Sequence, residues 1–173
     1  MRTRLALTLI LVLTLILAAA STLSAQTPDL SGIWRLNIPQ SFLGQDHPFP
    51  DYQLTRTIHQ AGDTLSISDA SVHNSFVNIP LPDSTVSYSV TTDGKERAAK
   101  LPSSLPGAPP ATAQVTATWQ AGTLEIVQSA NGLAAWGKQR LFLSPDAAHL
   151  IVLVEQHSVY GDSEQRLLFD KAP

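Results

Sequence analysis

The stretch "AQVTATWQAGTLEIVQ", Ala113 to Gln128, decides how this chain reads. In its first half Val115, Ala117 and Trp119 alternate with Thr116 and Thr118. Side chains on a strand point to opposite faces in turn, so this run has one apolar face and one hydroxyl face. "QAGT", Gln120 to Thr123, then supplies a tight turn, and "TLEIVQ" resumes a looser alternation. Two short β-type runs joined by a glycine-containing turn predict a hairpin.

The same rhythm extends in both directions. "TVSYSV" sets Val86, Tyr88 and Val90 against Ser87 and Ser89. "AGD", Ala61 to Asp63, joins "LTRTIHQ" to "TLSIS". "TDGK", Thr92 to Lys95, carries an Asp-Gly hairpin signal. "SPDAAH", Ser144 to His149, joins "RLFL" to "LIVLVEQ", and "YGDS" leads into "EQRLLFD". No convincing helical window follows the N-terminal segment. Sequential hairpins predict an all-β fold, an antiparallel up-and-down barrel of about eight to ten strands. Two stretches interrupt it, "IPQSFLGQDHPFPD" at 38–51 and the proline-rich "LPSSLPGAPPATA" at 101–113. Both predict loops, because proline cannot pair in a central strand.

The N-terminus is of a different kind. Arg2 and Arg4 precede an uncharged run, Leu5 to Ala20, and then the small residues "STLSA". That order predicts a signal peptide over residues 1–25, cut after Ala25 or, as the second choice, after Ala20. An uncleaved anchor is the rival, although the run is slightly short of the ~20 apolar residues a span needs. The expected product is a single barrel domain over 26–173, exported to the periplasm or beyond. Loss of the two leader arginines leaves 9 of 11 basic residues against 14 acidic ones, a net charge of −5. With no basic cluster, nucleic acid is not an expected partner. The chain has no cysteine, which excludes disulfides, thiolate catalysis and zinc–thiolate sites.

"DLSGIWRLN", Asp29 to Asn37, supplies a resemblance. A Gly-x-Trp opening the first strand of an up-and-down barrel resembles the lipocalin motif. The resemblance implies that Trp34 plugs the closed end and that an arginine near the last strand, here Arg166, packs over its indole. The wider pattern is similar to a group of small exported bacterial proteins of uncharacterised function. It comprises the "D-x-S-G-x-W-x-L-N" opening, "T-T-D-G-K-E" at Thr91–Glu96, "W-x-x-G-x-L-x-I" at Trp119–Ile126, "L-S-P-D" at Leu143–Asp146 and "F-D-K" at Phe169–Lys171. This resemblance implies a lipocalin-like (calycin-type) barrel and no particular activity.

Candidate chemistry is sparse. His149, Glu155 and His157 share one strand parity, but His149 lies about 26 Å from His157 on a straight strand. A third ligand would have to come from His59 or His73, so no metal site is expected. There is no Gly-x-Ser-x-Gly elbow. The carboxylates Asp69, Asp93, Glu96 and Glu125 read as turn or polar-face residues. No catalytic residue and no cofactor are expected. Tyr88, Trp119 and Ile126, on the apolar faces of their strands, are the candidate ligand-binding residues for a small apolar molecule in the barrel. The first expectation is therefore non-enzymatic carriage of such a molecule. The alternatives are an envelope interaction module with a filled barrel and a barrel isomerase or cyclase. The 141–154 hairpin is apolar on both faces, which points to a cover and marks it as a candidate homodimer surface.

Overall fold

The computed structural model describes residues 27–44, 52–73, 83–101, 111–130, 136–158 and 161–173. The predicted leader lies outside them, as do residues 45–51 and 102–110 of the two proline-containing stretches. The strands are β1 (Gly32–Leu36), β2 (Tyr52–Ala61), β3 (Thr64–His73), β4 (Ser84–Thr91), β5 (Arg97–Leu101), β6 (Ala111–Gln120), β7 (Thr123–Ala130), β8 (Trp136–Leu143), β9 (His149–Ser158) and β10 (Gly161–Lys171). All neighbouring pairs are antiparallel, in the sheet order β4-β3-β2-β1-β10-β9-β8-β7-β6-β5. The period-two reading thus holds, with ten strands among the described residues in up-and-down order. Among the described residues no helix is long and apolar enough to cross a membrane.

The first and last strands close the sheet, pairing Trp34 with Lys171 and Leu36 with Phe169. The sheet's two edges are β4 and β5, consecutive in sequence yet not paired. This corrects the hairpin expected at the Asp-Gly turn. Gly94, at φ +75°, makes the turn, but its hydrogen bonds go elsewhere. Thr92 N–H donates to the Asp63 carbonyl and Gly94 N–H to the Ala117 carbonyl, and Asp93 bridges to Thr118. The turn is therefore tied to β6 and to the β2–β3 connection, and a seam remains between β4 and β5.

The 101–113 loop also proves shorter than expected, because Leu101 pairs with Ala111 and Ala113 with Ala130. In the 38–51 stretch, Ile38–Gln40 form one 3-10 turn capped by Asn37, and Phe42 bridges to Arg166.

Inward positions fill one continuous core. Leu30, Trp34, Leu65, Leu124, Leu141, Leu150, Val152 and Phe169 are fully buried, with Ile58, Ile67, Ala117 and Ile126 nearly so. Each large aliphatic buried this way contributes roughly 1.5–3 kcal/mol. Leu65, Leu124 and Leu150 lie beside the turns at Gly62, Gly122 and Ser144, so the apolar floor sits at the hairpin-turn end of the barrel.

The opening motif belongs to this floor, and each of its residues has a task. Asp29 accepts from the Ser31 N–H at 2.9 Å, and Ser31 Oγ accepts from Gln60 N–H at 3.0 Å. Leu30, fixed by its N–H to Gln60 Oε1, is buried, and its carbonyl accepts the Trp34 indole N–H at 3.0 Å. Gly32 adopts φ +149°, a conformation L side chains rarely take, and a Cβ there would meet the indole at 3.4 Å. Glycine at this point lets Trp34 fold back over the chain that leads into it.

The closing "F-D-K" meets the opening motif from β10. Phe169 is buried, Asp170 accepts from Asn37 Nδ2 at 2.9 Å, and the Lys171 ammonium lies 5.4 Å from the Trp34 ring centroid. This corrects the expectation for Arg166. On β10 the odd positions 167 and 169 are buried, while Arg166 is exposed on the opposite parity, beside Phe42. Lys171 is the cross-strand partner of Trp34, so the cation over the indole is a lysine.

Candidate functional site

Above the apolar floor the inward positions change character. In β2 the inward series is Leu54, Arg56 and Ile58, and in β3 it is Leu65, Ile67 and Asp69. The Gly62 turn sets a register that places Arg56 opposite Asp69. The guanidinium, with Arg56 only 5% exposed, donates from Nε to Asp69 Oδ1 and from Nη2 to Oδ2, both at 2.7 Å. It also lies 5.4 Å from the Phe169 ring centroid. A two-point pair of this kind is geometrically specific and leaves the charge compensated where it is buried.

Tyr88 comes from β4, beside Ile67 in the ladder, and Gln139 from β8, beside Ile126. The Tyr88 hydroxyl and Gln139 Oε1 are both buried, and the Gln139 amide lies beside the phenol. Burial pushes the Tyr88 phenol above its ordinary value, with smaller influences from Arg56 downward, Asp69 upward and the nearby Gln139 amide downward. These four groups converge on one interior level. Buried polar groups are costly unless they are compensated, so a charge pair, a phenol and an amide gathered inside a barrel identify this level as the candidate site.

The structure distributes the expected ligand-binding residues unevenly. Tyr88 contributes the phenol, and Ile126 lies beside Gln139 on the same face. Trp119 pairs with Leu124 next to the β6–β7 turn and packs partly buried on the floor, away from the polar level. The sequence alone does not single out Arg56 or Gln139, and it reads Asp69 as a turn or polar-face carboxylate. Asp69 instead partners a buried guanidinium. The signal was available in parity, since Arg56 and Asp69 interrupt apolar inward series on the two arms of one hairpin.

The histidine series on β9 finds partners on neighbouring strands. His149 Nδ1 is 2.9 Å from Asp170 Oδ1, His157 contacts Asp162 through Nδ1, and Glu155 pairs with Arg140. No group of three His, Asp or Glu residues suited to a metal occurs among the described residues. Glu125 pairs with Lys138 at 3.1 Å. Asp93 binds Arg97 at the seam, and that hydrogen bond holds its carboxyl well below the usual range.

No family model matches the chain, and no curated protein sequence matches it. Solved structures do. A zebrafish ileal bile acid-binding protein complexed with cholic acid aligns with TM-score 0.53 and 16% identity, over 82% of this chain and 98% of that one. Fatty-acid-binding protein 1 of Echinococcus granulosus aligns with TM-score 0.55 and 12% identity, over 83% and 98%. The likeness shows the fold alone, an antiparallel up-and-down barrel like theirs.

Proposed function

We propose that this chain is an exported, non-enzymatic protein that holds a small apolar molecule inside its barrel. The observation that carries this reading is the interior level of Arg56, Asp69, Tyr88 and Gln139 above an apolar floor. Binding sites for such molecules combine apolar walls with a few placed polar groups. Two of those groups, the Tyr88 hydroxyl and the Gln139 amide, are buried and uncharged, and each can bond a polar atom of a ligand. The bile-acid- and fatty-acid-binding proteins with the same fold support the reading by analogy of architecture. The residue order of the N-terminus, a basic start followed by an apolar run and small residues, supports export. Trp34, fully buried and bonded to Leu30, serves in this reading as the plug of the floor.

The test is native mass spectrometry of protein purified from its own envelope fraction, set against the denatured mass. A retained mass of a few hundred daltons is the expected result, and a bare monomer that also fails to take up any apolar dye refutes carriage. A second reading rests on the outer face of the 141–154 hairpin. Phe142, Ile151 and Leu153 are outward yet only partly covered, so the hairpin serves as a self-association surface. A bare dimer in the same experiment supports that reading, and a monomer at all concentrations removes it.

A further inference from the structure

Among the described residues the barrel wall is weakest at the seam. Every neighbouring pair of strands is joined by a ladder except β4 and β5, so these two can part without breaking strand-to-strand hydrogen bonds. A slot of about 80 Å³ lies between them. Its base is Val90, Val115 and Ala117, which belong to the buried core, and its outer lips are Ser89 on β4 and Ala98 on β5, both exposed. The slot therefore leads from solvent to the core. Tyr88, which brings its phenol to the interior polar level, shares a face of β4 with Val90. A cavity that takes up benzene measures about 150 Å³, nearly twice this slot, so the seam has to part before a larger molecule passes. Arg97 lines the slot at its turn end. Its guanidinium donates through Nη1 and Nη2 to the two Asp93 carboxylate oxygens, at 2.5 and 2.7 Å. The Lys95 N–H donates to the same carboxylate at 3.1 Å, and Asp93 is itself bridged to Thr118 of β6. The pair thus pins the start of β5 to the turn, and being exposed it costs little to separate.

We propose that the seam between β4 and β5 is the gate through which the barrel's guest enters and leaves, and that the Asp93–Arg97 pair is its latch. This inference rests on the carrier reading and supplies the route that reading needs, since the core elsewhere is closely packed. Release of Arg97 from Asp93 frees the start of β5. Ala98 then moves away from Ser89, and the slot widens down to Val90 and the neighbouring Tyr88. No ladder between these two strands is lost in that movement, because none exists. The gate sets how fast the guest exchanges, and the interior sets how tightly it is held.

The experiment follows uptake of diphenylhexatriene, a neutral rod-shaped probe that fluoresces in apolar surroundings, by stopped flow. The chain has no cysteine, so Ser89→Cys with Ala98→Cys places a single pair of thiols across the slot, to be joined by oxidation or by a short cleavable bismaleimide. The joined form should take up the probe about tenfold more slowly than the open form, because association that needs an opening is slowed when the opening is blocked. The amount bound at equilibrium should not change, and cleavage of the link should restore the rate. A control pair, Thr116→Cys with Val127→Cys across the laddered strands β6 and β7, should leave uptake unchanged when joined. Asp93→Ala and Arg97→Ala should each speed uptake about two- to fivefold, as expected for loss of an exposed ion pair. If the seam cysteine variant does not fold, these two rates decide, and unchanged rates overturn the gate. Equal uptake by the joined and open seam forms, or equal slowing by the control pair, overturns the gate and leaves the carrier reading standing. Failure of the wild type to take up the probe at all overturns the carrier reading and the gate with it.

Discussion

The barrel is closed in two places by unlike means. Where the chain's ends meet, β1 and β10 pair directly, and the junction is filled by Trp34, Phe169 and Leu36. Where the middle of the chain passes from β4 to β5, no ladder forms, and the join is held by turn bonds to other strands and by the exposed Asp93–Arg97 pair. The first closure rests on buried area and backbone pairing, the second on a solvated ion pair. Burial of an aromatic is worth several times a surface ion pair. Stability should therefore concentrate at the termini and local opening at the seam.

The largest expected effect tests the first closure. Trp34→Ala removes a fully buried side chain and its bond to Leu30, and should cost about 3–5 kcal/mol in urea unfolding. An unchanged midpoint would mean that the floor does not depend on the plug.

Alkaline pH tests the interior beside the seam. Tyr88 lies on the edge strand β4, and its phenol is raised above the ordinary value near 10. The unfolded chain therefore loses this proton first. Tyr88 contributes stability that is present below about pH 10 and is lost as pH rises toward its folded-state value. The chain has three tyrosines. Ultraviolet titration should show one resisting ionisation until the barrel opens, and Tyr88→Phe should abolish that delayed fraction. Three tyrosines titrating together would place Tyr88 in contact with solvent.

A smaller contrast separates Lys171 from Arg166. Lys171→Ala removes the cation over the indole and should cost about 0.5–1 kcal/mol, as expected for a partly exposed cation–π contact. Arg166→Ala should leave unfolding unchanged. The reverse order would restore the arginine as the indole's partner.

The smallest effect sharpens the seam. Asp93→Asn should leave the global unfolding midpoint in place while speeding amide hydrogen exchange at Ala98–Lys100. Because the Asp93 carboxyl is depressed, the wild-type seam should keep its exchange protection at neutral pH. That protection should persist below the ordinary carboxylate value near 4 and weaken only as pH falls through the depressed one. Equal exchange in both proteins would show that Asp93 does not secure this join.

Period-two alternation and turn residues made the fold legible because both are local. "AQVTATWQAGTLEIVQ" is a hairpin in the sequence and in the structure for the same reason: a strand's faces repeat every two residues and a two-residue turn fixes the register. The Gly-x-Trp opening was legible as a motif, and its parts took up individual tasks once Leu30, Gly32 and Trp34 met in space. The Asp-Gly turn misled, because turn chemistry specifies a reversal of the chain but not which strands receive its hydrogen bonds.

The interior polar level is the part that needed three dimensions. Parity alone could have put Arg56 and Asp69 on one face, since a single hairpin holds both. Tyr88 and Gln139 sit 51 positions apart by their numbering, on strands that do not pair, and only barrel curvature brings them face to face. Likewise, a cation over Trp34 is what the lipocalin resemblance implies, but choosing Lys171 over Arg166 required the β1–β10 register. Local alternation dictates which way a side chain points. Closure of the sheet decides what it meets there, because contacts across a barrel depend on the summed twist and stagger of every strand between them.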